Sequence, residues 1–194
     1  DKNFRALDDK FVPFNPVIKR TEATVQAMDG DLFKVTKGAP QVILNMALEN
    51  PRTDPALRER VTASIQDQAD RGYRTLGVAI ARIQHEDEEP KWEFQGLLSL
   101  YDPPRPDTKD TIKRAVAGGV EVKMITGDQK AIAIETCRRL ELGTKIFTTD
   151  QLDDPSVSEE VVTDRIVDSN GFAEVMPEHK FNIVQALRKR GLVV

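Results

Sequence analysis

Tyr101-Asp-Pro-Pro-Arg-Pro106 constrains this chain more than any other stretch. Three prolines in four residues remove three backbone donors and fix three φ angles, so neither a helix nor a ladder strand can run through it. A stiff, extended connector remains. The rhythm of the sequence differs on its two sides. The chain is therefore read as an α/β protein of two parts, residues 1–101 and 107–194, with a boundary at 102–106.

The first part reads antiparallel. Arg20–Met28 alternates around Thr24 and Val25, Asp29-Gly30-Asp31 signals a turn, and Leu32–Lys37 returns, which predicts a hairpin. Pro40 suits a helix start, with the apolar face of Val42–Leu48 behind it. Leu57, Val61, Ile65 and Ala69 recur every fourth residue and predict a second helix over Pro55–Arg71, with Gly72 as its stop. Thr75–Ile83 and Trp92–Leu100 read as strands joined by an acidic loop, His85–Pro90.

The second part alternates helix and strand. Helices are predicted over Asp107–Ala117, Asp128–Leu142, Glu159–Asp168 and Pro177–Arg190. Strands are predicted over Val120–Ile125, Lys145–Phe147 and Phe172–Val175, with a further one beginning at Leu192–Val194. Thr148–Ser158 reads as a polar loop. Such alternation implies a parallel sheet with helices on its faces.

Composition narrows the function classes. A net charge of -4 and a pI near 5.4 carry no basic nucleic-acid footprint. The single cysteine, Cys137, cannot form an internal disulfide, which excludes a secreted disulfide scaffold and suits a reducing compartment. No apolar run reaches the roughly 18 residues that span a bilayer, and no signal peptide opens the chain. With Asp1 in place of an initiator Met, and a turn feeding apolar residues at Gly191–Val194, the chain is expected to be a piece of a longer protein.

In parallel sheets, ligands sit beyond the carboxyl ends of the strands, where helix N-termini present free N–H groups. Thr126-Gly127-Asp128 stands at such a place. Gly127 allows close approach, and Thr126 offers a hydroxyl and an N–H to a phosphate oxygen. An ordinary turn with Asp128 as N-cap would use the same residues. Met176-Pro177-Glu178-His179-Lys180 stands at another. There Lys180 opposes the positive end of the helix dipole, which costs about 0.3–1 kcal/mol unless an anion binds or the side chain reaches water. His179 adjoins it and could orient it, or be a plain surface residue. In the first part, Phe14 with Lys19, Lys37, Gly38 and Arg74 could stack an adenine and hold phosphates, or be a core aromatic and surface cations. No residue set has metal-ligand spacing, and no Gly-x-Ser-x-Gly or Walker loop occurs.

In order, Phe11-Val-Pro-Phe-Asn-Pro-Val-Ile-Lys-Arg20, Lys37-Gly-Ala-Pro40, Arg71-Gly-Tyr-Arg-Thr-Leu-Gly-Val78, Asp102-Pro-Pro-Arg105, Val122-Lys-Met-Ile-Thr-Gly-Asp128 and Gly171-Phe-Ala-Glu-Val-Met-Pro-Glu-His-Lys180 resemble a P-type ATPase. Gly171-Phe-Ala-Glu-Val and Glu135-Thr-Cys-Arg-Arg look like the plasma-membrane proton pumps within that family. The resemblance implies that residues 1–101 are most of a nucleotide-binding domain. Residues 107–194 would be the second part of a phosphorylation domain with a haloacid-dehalogenase-like, Rossmann-type fold.

It further implies ATP as ligand. Phe14 would stack on adenine, Lys19, Lys37 and Gly38 would line the pocket, and Arg74 would meet the phosphates. Residues 102–106 would be an interdomain hinge, with Asp102 and Arg105 belonging to it. Thr126 and Gly127 would hold the phosphoryl group, Asp128 would sit near the ribose or hinge, and Lys180 would neutralise phosphoryl charge. The phosphorylated Asp is expected upstream of Asp1, and the carboxylate that binds magnesium beyond Val194. Actuator and transmembrane parts would complete a pump at the cytoplasmic face of the plasma membrane. Many relatives carry Arg where this chain has Glu174, which removes a cationic ribose contact. Two other readings use the same residues: a soluble haloacid-dehalogenase-like phosphatase, and a non-catalytic nucleotide-binding module.

Overall fold

The computed structural model describes residues 4–194. The chain divides into two compact units, the first comprising residues up to Gln68 with Arg74–Leu100, the second Ala69–Tyr73 with Tyr101–Val194.

The first unit is built on one antiparallel sheet of five strands, β1 (Phe4–Asn15), β2 (Arg20–Ala27), β3 (Leu32–Gly38), β4 (Arg74–Ile83) and β5 (Glu93–Leu100), in that spatial order. Gly30, at φ +92, makes the β2–β3 turn, where the Ala27 N–H donates to the Asp31 carbonyl at 2.8 Å. Helices α1 (Pro40–Leu48) and α2 (Leu57–Asp70) supply the core against this sheet. Ile43 packs with Ala79, Ala81 and Trp92, and Leu44 packs with Val61 and Ile65, all buried. The four-residue spacing of α2 thus becomes one apolar stripe.

Strand β1 has no counterpart in the alternation pattern. Pro13 lies within it, and its pairing with β2 shifts register between Leu7 and Val12 and again between Val12 and Asn15. An edge strand tolerates both, because one side of its ladder is free.

The second unit holds a parallel sheet of β6 (Met124–Ile125), β7 (Ile146–Thr148) and β8 (Gly171–Ala173), in the order β6-β8-β7. Its helices are α3 (Thr108–Ala117), α4 (Lys130–Leu140), α5 (Thr149–Leu152), α6 (Glu159–Val167) and α7 (Pro177–Lys189). Phe172 is fully buried between Ile166, Val175, Ile183 and Leu187, while Ala133, Cys137, Ile146 and Ala173 form a second cluster. Burial pushes the Cys137 thiol up to about 11.

Four expectations are corrected here. The strand read over Val120–Ile125 pairs only at Met124–Ile125. The Val120 N–H is used instead to close α3, on the Ala115 carbonyl at 3.0 Å, and β8 offers no partner before Gly171. Within Thr148–Ser158, residues Thr149–Leu152 form α5, because the Gln151 side chain accepts the Thr148 N–H at 3.1 Å, half of a capping box. Asp128 does not cap α4, whose N-cap is Gln129. Leu192–Val194 forms no strand: the Leu192 N–H closes α7 on the Leu187 carbonyl at 3.2 Å.

Candidate functional site

In the first unit, one end of the sheet gathers most of the residues singled out for nucleotide. The register pairs Asn15 with Arg20, Arg20 with Gly38, Thr21 with Lys37, and Gly38 with Gly77. Side chains alternate between the faces of a sheet, so Thr21, Lys37 and Val78 share one face. Phe14 precedes Asn15 inside the second register shift of β1, at the same end of the sheet, and alternation does not set its face. Phe14 is 63% exposed, which rejects the reading of a core aromatic.

Lys19 stands where β1 turns into β2. Its backbone is left-handed at φ +53, and its carbonyl accepts the Ala39 N–H at 2.9 Å. The close approach requires glycine at 38, because a Cβ there would lie 2.3 Å from the Lys19 oxygen. Lys19 and Lys37 are exposed, and their side chains form no hydrogen bond or ion pair among the described residues. Arg74 opens β4, is exposed, and pairs in register with Leu100.

In the second unit, β6 and β8 run parallel, so their carboxyl ends open on one edge. Backbone bonds stitch the two ends together. The Thr126 N–H donates to the Phe172 carbonyl at 3.0 Å, the Val175 N–H to the Thr126 carbonyl at 3.0 Å, and the Glu174 N–H to the Asp128 carbonyl at 2.9 Å. The Thr126 hydroxyl accepts the Asp128 N–H at 3.1 Å and donates to the Asp128 carboxylate at 3.0 Å. This local ring explains why Asp128 leaves the N-cap position of α4.

Gly127 is exposed. A Cβ there would meet only the Val175 oxygen, at 3.6 Å, an ordinary contact. The surrounding protein therefore does not itself demand glycine at 127. Lys180 lies in the opening turns of α7, on the chain that leaves this edge, and is exposed without a hydrogen bond or ion pair among the described residues.

Sequence reasoning considered Glu174 only for a ribose contact and missed Asp153. Glu174 takes a left-handed backbone at φ +58, and its carbonyl accepts the Thr149 hydroxyl at 3.3 Å. Asp153 meets His179 across 3.0 Å. The backbone role of Glu174 and the Asp153 contact carry no local sequence signal, since both act through tertiary partners. Asp102 and Arg105 lie exposed in the connector, outside any helix or strand. Among the described residues, no group of three His, Cys, Asp or Glu could hold a metal ion, and no helix is long and apolar enough to cross a membrane.

The chain is 45% identical over 197 residues to "Probable proton ATPase 1A" of Leishmania donovani, covering 97% of this chain and 19% of the relative. It is 48% identical over 187 residues to "Probable plasma membrane ATPase" of Dictyostelium discoideum, covering 95% and 17%. It is 42% identical over 197 residues to a protein of Methanocaldococcus jannaschii named as a cation-transporting ATPase, covering 100% and 23%. The chain thus spans about a fifth of the length of these relatives. No protein-family model matches it.

Proposed function

Because the chain belongs to the P-type ATPase family, we propose that it is the ATP-binding and phosphoryl-transfer portion of a proton pump. The whole pump would sit in the plasma membrane with this portion on the cytoplasmic face. It would couple ATP hydrolysis, through an aspartyl-phosphate, to proton export. Actuator, transmembrane and further phosphorylation-domain segments of the same pump would be its partners.

The first unit is the nucleotide-binding domain. Phe14 stacks on adenine, Lys19 and Lys37 line the pocket beside Gly38, and Arg74 meets the phosphates. The exposed Lys19 and Lys37 and the exposed ring of Phe14, gathered at one end of the sheet, support this reading. Asp102 and Arg105 belong to a proline-stiffened hinge.

The second unit is part of a haloacid-dehalogenase-like phosphorylation domain. Thr126, whose N–H is spent on the Phe172 carbonyl, gives its hydroxyl proton to a phosphoryl oxygen in place of the Asp128 carboxylate, Gly127 leaves room for it, and the Asp128 N–H keeps the hydroxyl oxygen in place. Lys180 neutralises charge spread over the transferred group's oxygens. Catalysis at such a site is positioning and charge neutralisation. Magnesium, which family members use with ATP, finds no ligand cluster among the described residues.

One observation carries this reading: the Val175 N–H on the Thr126 carbonyl, which joins the Thr126 loop to the turn that starts the helix of Lys180. The test is phosphorylation of the full-length pump from labelled ATP. Lys180→Ala is expected to lower aspartyl-phosphate formation with ATP affinity kept. An unchanged rate overturns the assignment.

A further inference from the structure

His179 is the one residue from Met176 to Asn182 that is not exposed. Both of its ring nitrogens are engaged. Nδ1 accepts the Met176 N–H at 3.1 Å, and Nε2 lies 3.0 Å from Asp153 Oδ2. A single neutral tautomer satisfies both contacts: Nδ1 is bare and accepts, while Nε2 carries the proton and donates to the carboxylate.

Asp153 closes α5, its N–H bonded to the Thr149 carbonyl at 2.8 Å. The ring therefore ties the entry of α7 to an element anchored on β7 through Thr148. Deeper along α7, Ile183 and Leu187 are buried and fix the helix axis. The first turn has no apolar anchor of this kind, since Met176, Pro177, Glu178 and Lys180 are all exposed. Lys180 has no hydrogen-bond or ion-pair partner among the described residues, so its aim is set by the backbone that carries it.

We propose that His179, braced by Asp153, is a positioning residue for phosphoryl transfer: it fixes the first turn of α7 and so presents Lys180 at the Thr126–Val175 edge. This rests on the function proposed above. His179 touches no reacting atom and acts only through Lys180.

The experiment uses the full-length pump. His179→Ala, His179→Gln, Asp153→Ala, Lys180→Ala and the His179→Ala/Lys180→Ala double variant are compared for phosphorylation rate and for KM of ATP. Gln has one acceptor and one donor, and at the third helical position it can reach the N-cap N–H as His179 does. His179→Ala is expected to slow phosphorylation by roughly 10- to 100-fold, the scale of misplacing a reacting geometry by about an ångström, with KM unchanged. His179→Gln should recover most of the rate, and Asp153→Ala should lose part of it. The double variant should be no slower than Lys180→Ala alone, because the two residues act in series.

A full rate in His179→Ala, or losses that multiply in the double variant, overturns the proposal. If His179→Ala fails to fold, the exposed Asp153 carries the same test, and an unchanged rate in Asp153→Ala overturns it. An unchanged rate in Lys180→Ala instead overturns the underlying functional reading and leaves a distinct signature.

Discussion

The N–H of Val175 donates to the carbonyl of Thr126 at 3.0 Å. This bond extends the pairing of β6 and β8 past both strands, and with the Glu174–Asp128 bond it makes one rim from two distant loops. Neither loop can shift alone without breaking a backbone pair. A rim fixed before charge develops need not rearrange during reaction, and the proposed phosphoryl transfer would draw on that preorganisation.

Lys180 should therefore matter to rate more than to binding. In the full-length pump, Lys180→Ala is expected to slow aspartyl-phosphate formation by roughly 10²–10³, the scale of losing one preorganised electrostatic donor. Nucleotide affinity should stay within about twofold, a difference too small to register as a lost contact. Quenched-flow phosphorylation alongside equilibrium ATP binding separates the two. A loss confined to affinity would contradict the assignment.

The glycines of the second unit predict opposite behaviours. A Cβ at Gly171 would lie 2.4 Å from the Met124 oxygen, inside the β6–β8 ladder. Gly171→Ala should cost at least the roughly 1–3 kcal/mol of an overpacked core, visible in denaturant unfolding. Gly127→Ala meets only an ordinary 3.6 Å contact, so it should leave unfolding unchanged while slowing phosphorylation. Equal stability losses in the two variants would show that Gly127 serves the fold rather than a ligand.

What the sequence made legible followed from local chemistry. The β2–β3 hairpin was readable because alternation and a turn glycine agree, and Gly30 does take a positive φ. The start of α7 was readable from Pro177. Strand β1 was not, since Pro13 and two register shifts hide its alternation. The length of β6 was not, because it depends on how far β8 runs beside it. At the candidate site, Thr126, Gly127 and Lys180 stood out by type and place, and the order of motifs joined them. The His179–Asp153 brace did not, because its partner lies 26 positions away in a stretch that reads as polar loop.

Nucleotide binding by the first unit is expected to depend on the exposed ring of Phe14. Phe14→Ala should weaken ATP and adenosine alike, by about 1–3 kcal/mol, the scale of base stacking on an aromatic side chain. Lys37→Ala should weaken ATP and spare adenosine, since a cation reads phosphate. Chemical-shift titration of the chain with both ligands decides it. Perturbations that bypass Phe14, Lys19 and Lys37 together would remove the pocket from this end of the sheet.

Cys137 gives a prediction about pH. Its side chain is fully buried beside Met124, and burial raises the thiol from 9.0 to about 11. A thiol raised in the folded state keeps its proton where the unfolded chain has lost it. Its contribution to stability is thus complete below the ordinary thiol range and is lost as pH rises through that range towards 11. At about 1.4 kcal/mol per unit, the loss amounts to roughly 2–3 kcal/mol. Lysines and tyrosines titrate in the same window, so the informative quantity is the difference between the parent chain and Cys137→Ala. The parent should lose more stability than the variant between pH 9 and 11, by about that amount. The same burial should keep the folded chain unreactive to iodoacetamide at pH 8, with reaction appearing only as denaturant unfolds it. Alkylation of the folded chain at the rate of a small peptide thiol would mean that the helix carrying Cys137 opens readily, and the pH difference should then vanish as well.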